Sequence, residues 1–327
     1  MTRTAAAAIT ALPPIDRRAI PPAAAEGTWR AGDGHPIRRI DWPAGQDPPR
    51  GSILFLPGRG DAYEKYLETL DGWAAQGWRV TAADWRGQAG SGRLGTDSFT
   101  GHIGDFAQWV DDLAALWADW LGQTPGPHVL AAHSMGGHIA LRALAEHRVD
   151  PDAAVLSAPM LGFTGQILPR AVMHRLARLM CRIGDPRRPA WKWSEKPGAL
   201  PRGRMDLLTH DHERYQDEIV WRERRPELAM GPGSWGWVER AMASMNGLER
   251  PGVLEAVRVP VFIAATAADR LVSIAAIDRA ARRLPGCELL RFGKEARHEI
   301  LREEDGVRNR TLAAIAGFLD RVTPRQG

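Results

Sequence analysis

Ser134, Asp269 and His298 occur in that order along the chain, each just beyond an apolar run. Together these three side chains can do what none does alone. A serine hydroxyl is a poor nucleophile at its own pKa. It needs an imidazole to take its proton, and the imidazole needs a carboxylate to hold its tautomer. The chemistry of such a set is acyl transfer through a covalent acyl-enzyme. Ser134 lies in Ala132-His133-Ser134-Met135-Gly136-Gly137. Residues 128–132 read as a strand, and helical spacing follows at once in Ile139, Ala140, Leu141, Ala143 and Leu144. That strand–turn–helix context is what a nucleophile elbow needs, and small residues at 132, 136 and 137 let strand and helix approach. Taken singly, Ser134 reads equally well as a helix N-cap, Asp269 as a turn residue and His298 as a surface residue. Their order, with each in a loop after a strand, makes the triad the reading.

The other histidines fit less well. His133 adjoins the serine, and neighbours at an elbow are expected to point apart. His138 falls one helical turn along, and His128 starts a strand at its far end. His102, His210 and His212 are left as candidates for lining a binding pocket. A tetrahedral intermediate also needs backbone donors for its oxyanion. The N–H of Met135, directly after the serine, is one. The N–H of Arg59, in Pro57-Gly58-Arg59-Gly60-Asp61 after an apolar run at 52–56, is the other.

The elements that must position these groups alternate. Strands are expected at 27–42 (a pair around a turn), 52–56, 78–83, 128–132, 153–157, 259–265 and 287–292. Helices are expected at 63–76, 106–121, 172–183, 274–284 and 307–322. Such alternation means a mostly parallel sheet covered on both faces, an α/β fold. Residues 159–237, rich in Arg, Pro, Gly and Trp, break the alternation and read as a cap or lid insertion. The expected organisation is therefore a flexible Ala/Pro-rich segment at 1–25, a first core part at 26–158, the insertion at 159–237 and a second core part at 238–327.

At 327 residues with 44% hydrophobic and 25% charged, the chain has ample material for a large core. Its two cysteines, Cys181 and Cys287, imply no disulfide framework, so a cytoplasmic location is expected. No run approaches the roughly 20 apolar residues of a membrane span. The net charge is +4, yet residues 161–235 alone hold 14 Lys+Arg against 9 Asp+Glu. The basic excess is confined to the insertion, no nucleic-acid motif accompanies it, and nucleic acid is not an expected partner.

Four segments resemble the α/β-hydrolase superfamily, and more narrowly its bacterial lysophospholipase and monoacylglycerol lipase branch, sometimes labelled serine-aminopeptidase-like. They are Phe55-Leu56-Pro57-Gly58-Arg59-Gly60 with Tyr63 and Tyr66, Asp84-Trp85-Arg86-Gly87-Gln88-Ala89-Gly90-Ser91-Gly92, His133-Ser134-Met135-Gly136-Gly137, and His298-Glu299-Ile300-Leu301. Three positions depart from the usual pattern: Pro57 stands for a His, and Ala132 and Ala89 for glycines. The resemblance implies an eight-stranded, mostly parallel sheet flanked by helices with a helical cap. It also implies a serine hydrolase that needs no metal or cofactor and cleaves an ester of a single-chain lipid, a lysophospholipid or monoacylglycerol. The Asp84–Gly92 loop is expected to brace the oxyanion loop by hydrogen bonds. The insertion holds Trp191, Trp193, Trp221, Trp235 and Trp237 beside its excess arginines. This composition suits either contact with lipid headgroups, peripheral to the inner membrane face, or a cap whose tryptophans pack its own core. A short-chain carboxylesterase or an amide or peptide hydrolase on the same triad, and a catalytically silent binding module on the same fold, are the competing readings.

Overall fold

A computed structural model describes residues 15–165, 169–192 and 202–324. Its first half runs β1 (Ala25–Arg30), β2 (Pro36–Trp42), β3 (Gly51–Leu56), α1 (Leu67–Ala75), β4 (Trp78–Ala83), α2 (Phe106–Leu121), β5 (His128–His133), α3 (Met135–Ala145) and β6 (Ala153–Ser157). Then come four successive helices, α4 (Arg170–Arg182), α5 (Arg202–Leu208), α6 (His212–Arg224) and α7 (Trp235–Leu248). The alternation closes with β7 (Val261–Thr266), α8 (Ile274–Arg283), β8 (Cys287–Phe292) and α9 (Asp305–Val322).

The strands form one eight-stranded sheet in the order β1-β2-β4-β3-β5-β6-β7-β8. The β1–β2 and β2–β4 pairs are antiparallel. Every pair from β4 to β8 across the sheet is parallel. A parallel sheet covered by helices hides both faces, and β3, β6 and β7 are accordingly buried at every residue. This is why their sequences are continuous apolar runs rather than alternating ones. The chain lays β4 on one side of β3 and then crosses over to lay β5 on the other. That reversal opens a crevice at the carboxyl ends of β3 and β5, where α/β sheets hold their ligands. The loop after β3 and the turn after β5 carry Arg59 and Ser134.

The expected helix over 63–76 is interrupted. It starts as a 3-10 turn at Tyr63–Tyr66 and becomes α-helical only at Leu67. The two tyrosine hydroxyls are held by carboxylates, Tyr63 donating to Glu26 at 2.5 Å and Tyr66 to Asp61 at 2.7 Å. Of the flexible segment expected over 1–25, residues 1–14 lie outside the described range. Arg17 and Arg18 both donate to Asp217 on α6 at 2.6 Å, and the Trp221 indole donates to the Arg17 carbonyl at 2.8 Å. Residues 15–24 are thus docked, and Ala25 already belongs to β1. Helix α7 starts at Trp235, inside the stretch expected as the insertion, where the Ser234 hydroxyl caps it by accepting from the Trp237 N–H at 3.0 Å. No helix among the described residues is long and apolar enough to cross a membrane.

Candidate active site

The turn between β5 and α3 places Ser134 at φ 51° and ψ −115°. For a residue with a Cβ this conformation costs on the order of 1–3 kcal/mol and persists only when its surroundings dictate it. They do so here. The Ser134 N–H donates to the Ser157 carbonyl at 2.9 Å, and the Ser134 carbonyl accepts from Met160 and His138 at 2.9 and 3.1 Å. Any side chain at Gly136 would strike the carbonyls of Pro57 and Leu56, at 2.4 and 2.7 Å from a Cβ. The glycine is what lets α3 press against the end of β3. Ala132, standing where a third glycine is usual, is buried in register with Leu56 and Leu156.

Asp269 and His298 follow β7 and β8 and arrive at the same crevice. The Ser134 hydroxyl lies 2.9 Å from His298 Nε2, and His298 Nδ1 lies 2.7 Å from Asp269 Oδ2. The other Asp269 oxygen accepts from the N–H groups of Leu271 and Val272 at 2.8 and 2.9 Å. Thr266, at the end of β7, reaches the carbonyls of Gly293 and Ala296 at 2.7 and 2.9 Å, tying together the loops that carry the acid and the imidazole. Burial alone would push the His298 pKa down, but the Asp269 carboxylate outweighs it and holds the imidazole above its ordinary value. Burial would likewise raise Asp269; the charge and hydrogen bond of His298, then the two amides, keep it below the usual carboxylate value. The pair is therefore arranged to stabilise an imidazolium, as general-base catalysis requires.

The loop after β3 is held from several directions. Gly58 N–H donates to Asp61 Oδ2 at 3.1 Å and Gly60 N–H to Gln88 Oε1 at 2.7 Å. The Trp85 indole donates to the Pro57 carbonyl at 2.8 Å. Gln88 and Trp85 belong to the Asp84–Gly92 loop, so the bracing expected of that loop is present as hydrogen bonds. Pro57, the departure from His, supplies its carbonyl to this brace. Arg59 lies between the two fixed glycines, and its guanidinium donates to the Gly231 carbonyl at 2.8 Å and lies over the rings of Trp191 and Trp237. Met135 opens α3, whose first amides have no partner within the helix.

These groups face a cavity of about 1080 Å³. One wall is apolar, formed by Met160, Phe163, Met173, Met242, Leu271 and Val272. Another carries Asp61, Lys65 and Glu299. Lys65 is shared among three buried carboxylates: Asp61 at 3.0 Å, Glu218 of α6 at 3.1 Å, and Glu299. Glu299 also pairs with Arg302, which lies 3.7 Å from Glu218. Neither this lattice nor the role of Gln88 was anticipated as specific contacts. Their partners are distant in sequence, up to 234 residues apart for Lys65 and Glu299, and leave no local pattern.

His133 does not point away as expected. It lines the cavity with its ring 4.8 Å from that of His298, in space left by Gly58, whose Cβ would sit 3.2 Å from the His133 ring. Burial, reinforced by His298, pushes its pKa down to about 4, so it is neutral near pH 7. His102, His210 and His212 are not among the lining residues. His102 bonds to the Ser234 hydroxyl at 2.7 Å, His210 to Glu303 at 3.0 Å, and His212 is exposed at the start of α6. Of the insertion's tryptophans, Trp191, Trp235 and Trp237 line the cavity. Trp221 is buried beneath residues 15–24, and Trp193 lies outside the described residues. Among the described residues no group of three or more His, Cys, Asp or Glu could hold a metal ion.

Sheet order, elbow and hydrogen-bonded Ser–His–Asp chain together define an α/β-hydrolase of the serine ester hydrolase class. Residues 47–305 match the family described as serine aminopeptidase, S33, and the chain belongs to that family. It is 32% identical over 293 residues to lysophospholipase L2 of Escherichia coli K12, covering 84% of this chain and 82% of that protein. It is 27% identical over 278 residues to the probable lysophospholipase L2 of Haemophilus influenzae, covering 83% and 84%. Among solved structures, the fold is shared with a soluble variant of the monoglyceride lipase of Saccharomyces cerevisiae, at TM-score 0.72, 19% identity and 90% and 94% coverage. It is shared equally with a thermostable carboxyl esterase of Bacillus coagulans, at TM-score 0.72, 17% identity and 92% and 99% coverage.

Proposed function

We propose that the protein hydrolyses the carboxylic ester of a single-chain lipid, a lysophospholipid or a monoacylglycerol, with Ser134 as nucleophile. The observation that carries this is a Ser134–His298–Asp269 hydrogen-bonded chain opening into a large cavity with one apolar and one charged wall. Kinship with proteins named lysophospholipase L2 supports it. Ser134 Oγ attacks the ester carbonyl while His298 Nε2 takes its proton. The carbonyl oxygen, now an oxyanion, is received by the N–H groups of Arg59 and Met135. The C–O bond breaks as His298 returns the proton to the leaving alcohol, and Asp269 holds the imidazolium throughout. Water, deprotonated by His298, then attacks the acyl-Ser134 ester and releases the fatty acid. The apolar wall takes the acyl chain. The charged wall lies beside His298, where the leaving alcohol must be protonated, and takes the polar headgroup. Residues 159–237 act as the cap, and the enzyme works from the cytoplasm at a lipid surface.

The test is hydrolysis of lysophosphatidylcholine, monoacylglycerol and para-nitrophenyl butyrate by wild type and Ser134→Ala. Cleavage of a long-chain lipid ester, lost by a factor on the order of 10⁴–10⁶ in the variant, is the expected result. Cleavage of the short ester alone would remove the lipid substrate. Activity surviving in Ser134→Ala would remove the nucleophile.

A further inference from the structure

Helix α4 buries little of what a helix of its pattern should bury. Its large apolar residues Val172, Leu176 and Leu179, with Ile183 just past its end, are 42, 38, 51 and 66% exposed. They fall at i, i+4, i+7 and i+11, one stripe along one face. From the sequence such a stripe reads as a core-facing side. Here the helix instead turns Met173 and Ala177 inward, resting on α7 with His174 3.0 Å from Glu239. Along one flank of the stripe run Arg175, Arg178 and Arg182, all exposed. Residues 161–184 contain no acidic residue at all. Arg178 lies 3.6 Å from Glu239, whereas Arg175 and Arg182 make no ion pair among the described residues.

We infer that this face of α4 docks the protein on an anionic lipid surface, with the stripe in the acyl boundary and the arginine row among the headgroups. An apolar stripe edged by cations is the design of an interfacial helix. Charge selects the occupant, because anionic headgroups attract the arginines. Continuity with the cavity gives the surface its use. Met173, next to the stripe's first residue, lines the cavity, and so does Trp191, itself 45% exposed. A lipid leaving the surface along α4 arrives at the cavity mouth. On this reading the lipid contact suggested by the insertion's composition is carried by the aliphatic side chains of α4. This surface extends the lipid-ester reading and relies on that reading for its purpose, though not for its binding.

The experiment is co-sedimentation of the full chain with equimolar phosphatidylcholine–phosphatidylglycerol vesicles, read beside sedimentation velocity without lipid. Wild type should partition to the vesicles and be released by salt. Leu179→Gln with Ile183→Gln should lower partition about tenfold or more while hydrolysis of the soluble short ester is unchanged. Arg175→Gln with Arg182→Gln should lower it and flatten its salt dependence. A wild type that stays in solution, or a stripe variant that binds as well as wild type, would overturn the inference. So would equal binding to phosphatidylcholine alone, which removes the anionic partner. A wild-type dimer dissolved by the stripe variant would make a second copy the occupant and overturn it as well. Vesicle binding by a protein that hydrolyses no lipid ester would sink the substrate and leave this surface standing.

Discussion

The floor and the roof of the cavity are built by different rules. The floor consists of loops at the ends of parallel strands, each fixed by several hydrogen bonds: the Ser134 turn by Ser157, His138 and Met160, the Arg59 loop by Asp61, Gln88 and Trp85, the His298 loop by Thr266. The roof consists of helices from one long insertion, tied to the core by backbone hydrogen bonds at a few loop positions, among them Gly231 to Phe99 and Glu299 to Leu208, both at 2.8 Å, but closing over the site with side chains: Trp191 and Trp237 over Arg59, and Glu218 against Lys65. Hydrogen-bonded strand ends locate atoms closely enough for chemistry, which tolerates little displacement. Side-chain packing sets size and polarity and can change while the floor stays as it is. Under the proposed function the reaction belongs to the sheet and the choice of substrate to the insertion.

The sharpest test of the floor is its carboxylate. Asp269→Asn should lower kcat about 10⁴-fold, since an amide no longer enforces the imidazole tautomer or stabilises the imidazolium. The same residue sets the pH profile. His298 must be neutral to act as base, and its pKa is raised, so kcat/KM of wild type should climb through an inflection above the ordinary imidazole value. In the Asn variant the residual activity should have its inflection at lower pH; an unmoved inflection would deny Asp269 its role. A milder effect is expected for Gln88→Ala, which releases the Gly60 N–H and loosens the loop proposed to hold the oxyanion. The expected loss is about 10- to 100-fold in kcat with KM nearly unchanged, and short and long esters should suffer alike. The roof should respond in the opposite way. Met173→Trp, which fills the apolar wall from the insertion, should raise KM for long acyl chains about tenfold and leave para-nitrophenyl butyrate almost untouched. If it lowers kcat for both substrates equally, the division between floor and roof fails.

How much of this was legible in the sequence follows the same division. Strands β4, β6 and β8 and helix α2 fall where apolar runs and helical spacing put them, because a buried parallel strand and an amphipathic helix each have a local period. The order of Ser134, Asp269 and His298 was readable because each follows a strand, and a parallel sheet delivers all such ends to one edge. His133 was misplaced because the rule of alternating side chains ignores the room that Gly58 leaves. The docking of residues 15–24 and the Lys65 lattice were invisible, since each depends on charges hundreds of positions apart meeting in space. The stripe on α4 was visible as a period, but periodicity reports amphipathicity and says nothing of which face the rest of the chain will cover.

The Lys65 lattice has a consequence for how such a protein can change over generations. Its carboxylates come from three places, the Arg59 loop, helix α6 and the residue after His298. Losing one member of a buried charge set costs about 3–5 kcal/mol. That is a large part of the 5–15 kcal/mol that holds a typical domain folded. Single substitutions there should be purged, and only concerted replacements should pass. Because Glu218 is one of the members, the insertion is not a cassette that recombination can swap freely. A foreign roof grafted between β6 and β7 would have to bring its own answer to Lys65, or the enzyme that received a new substrate would lose its fold.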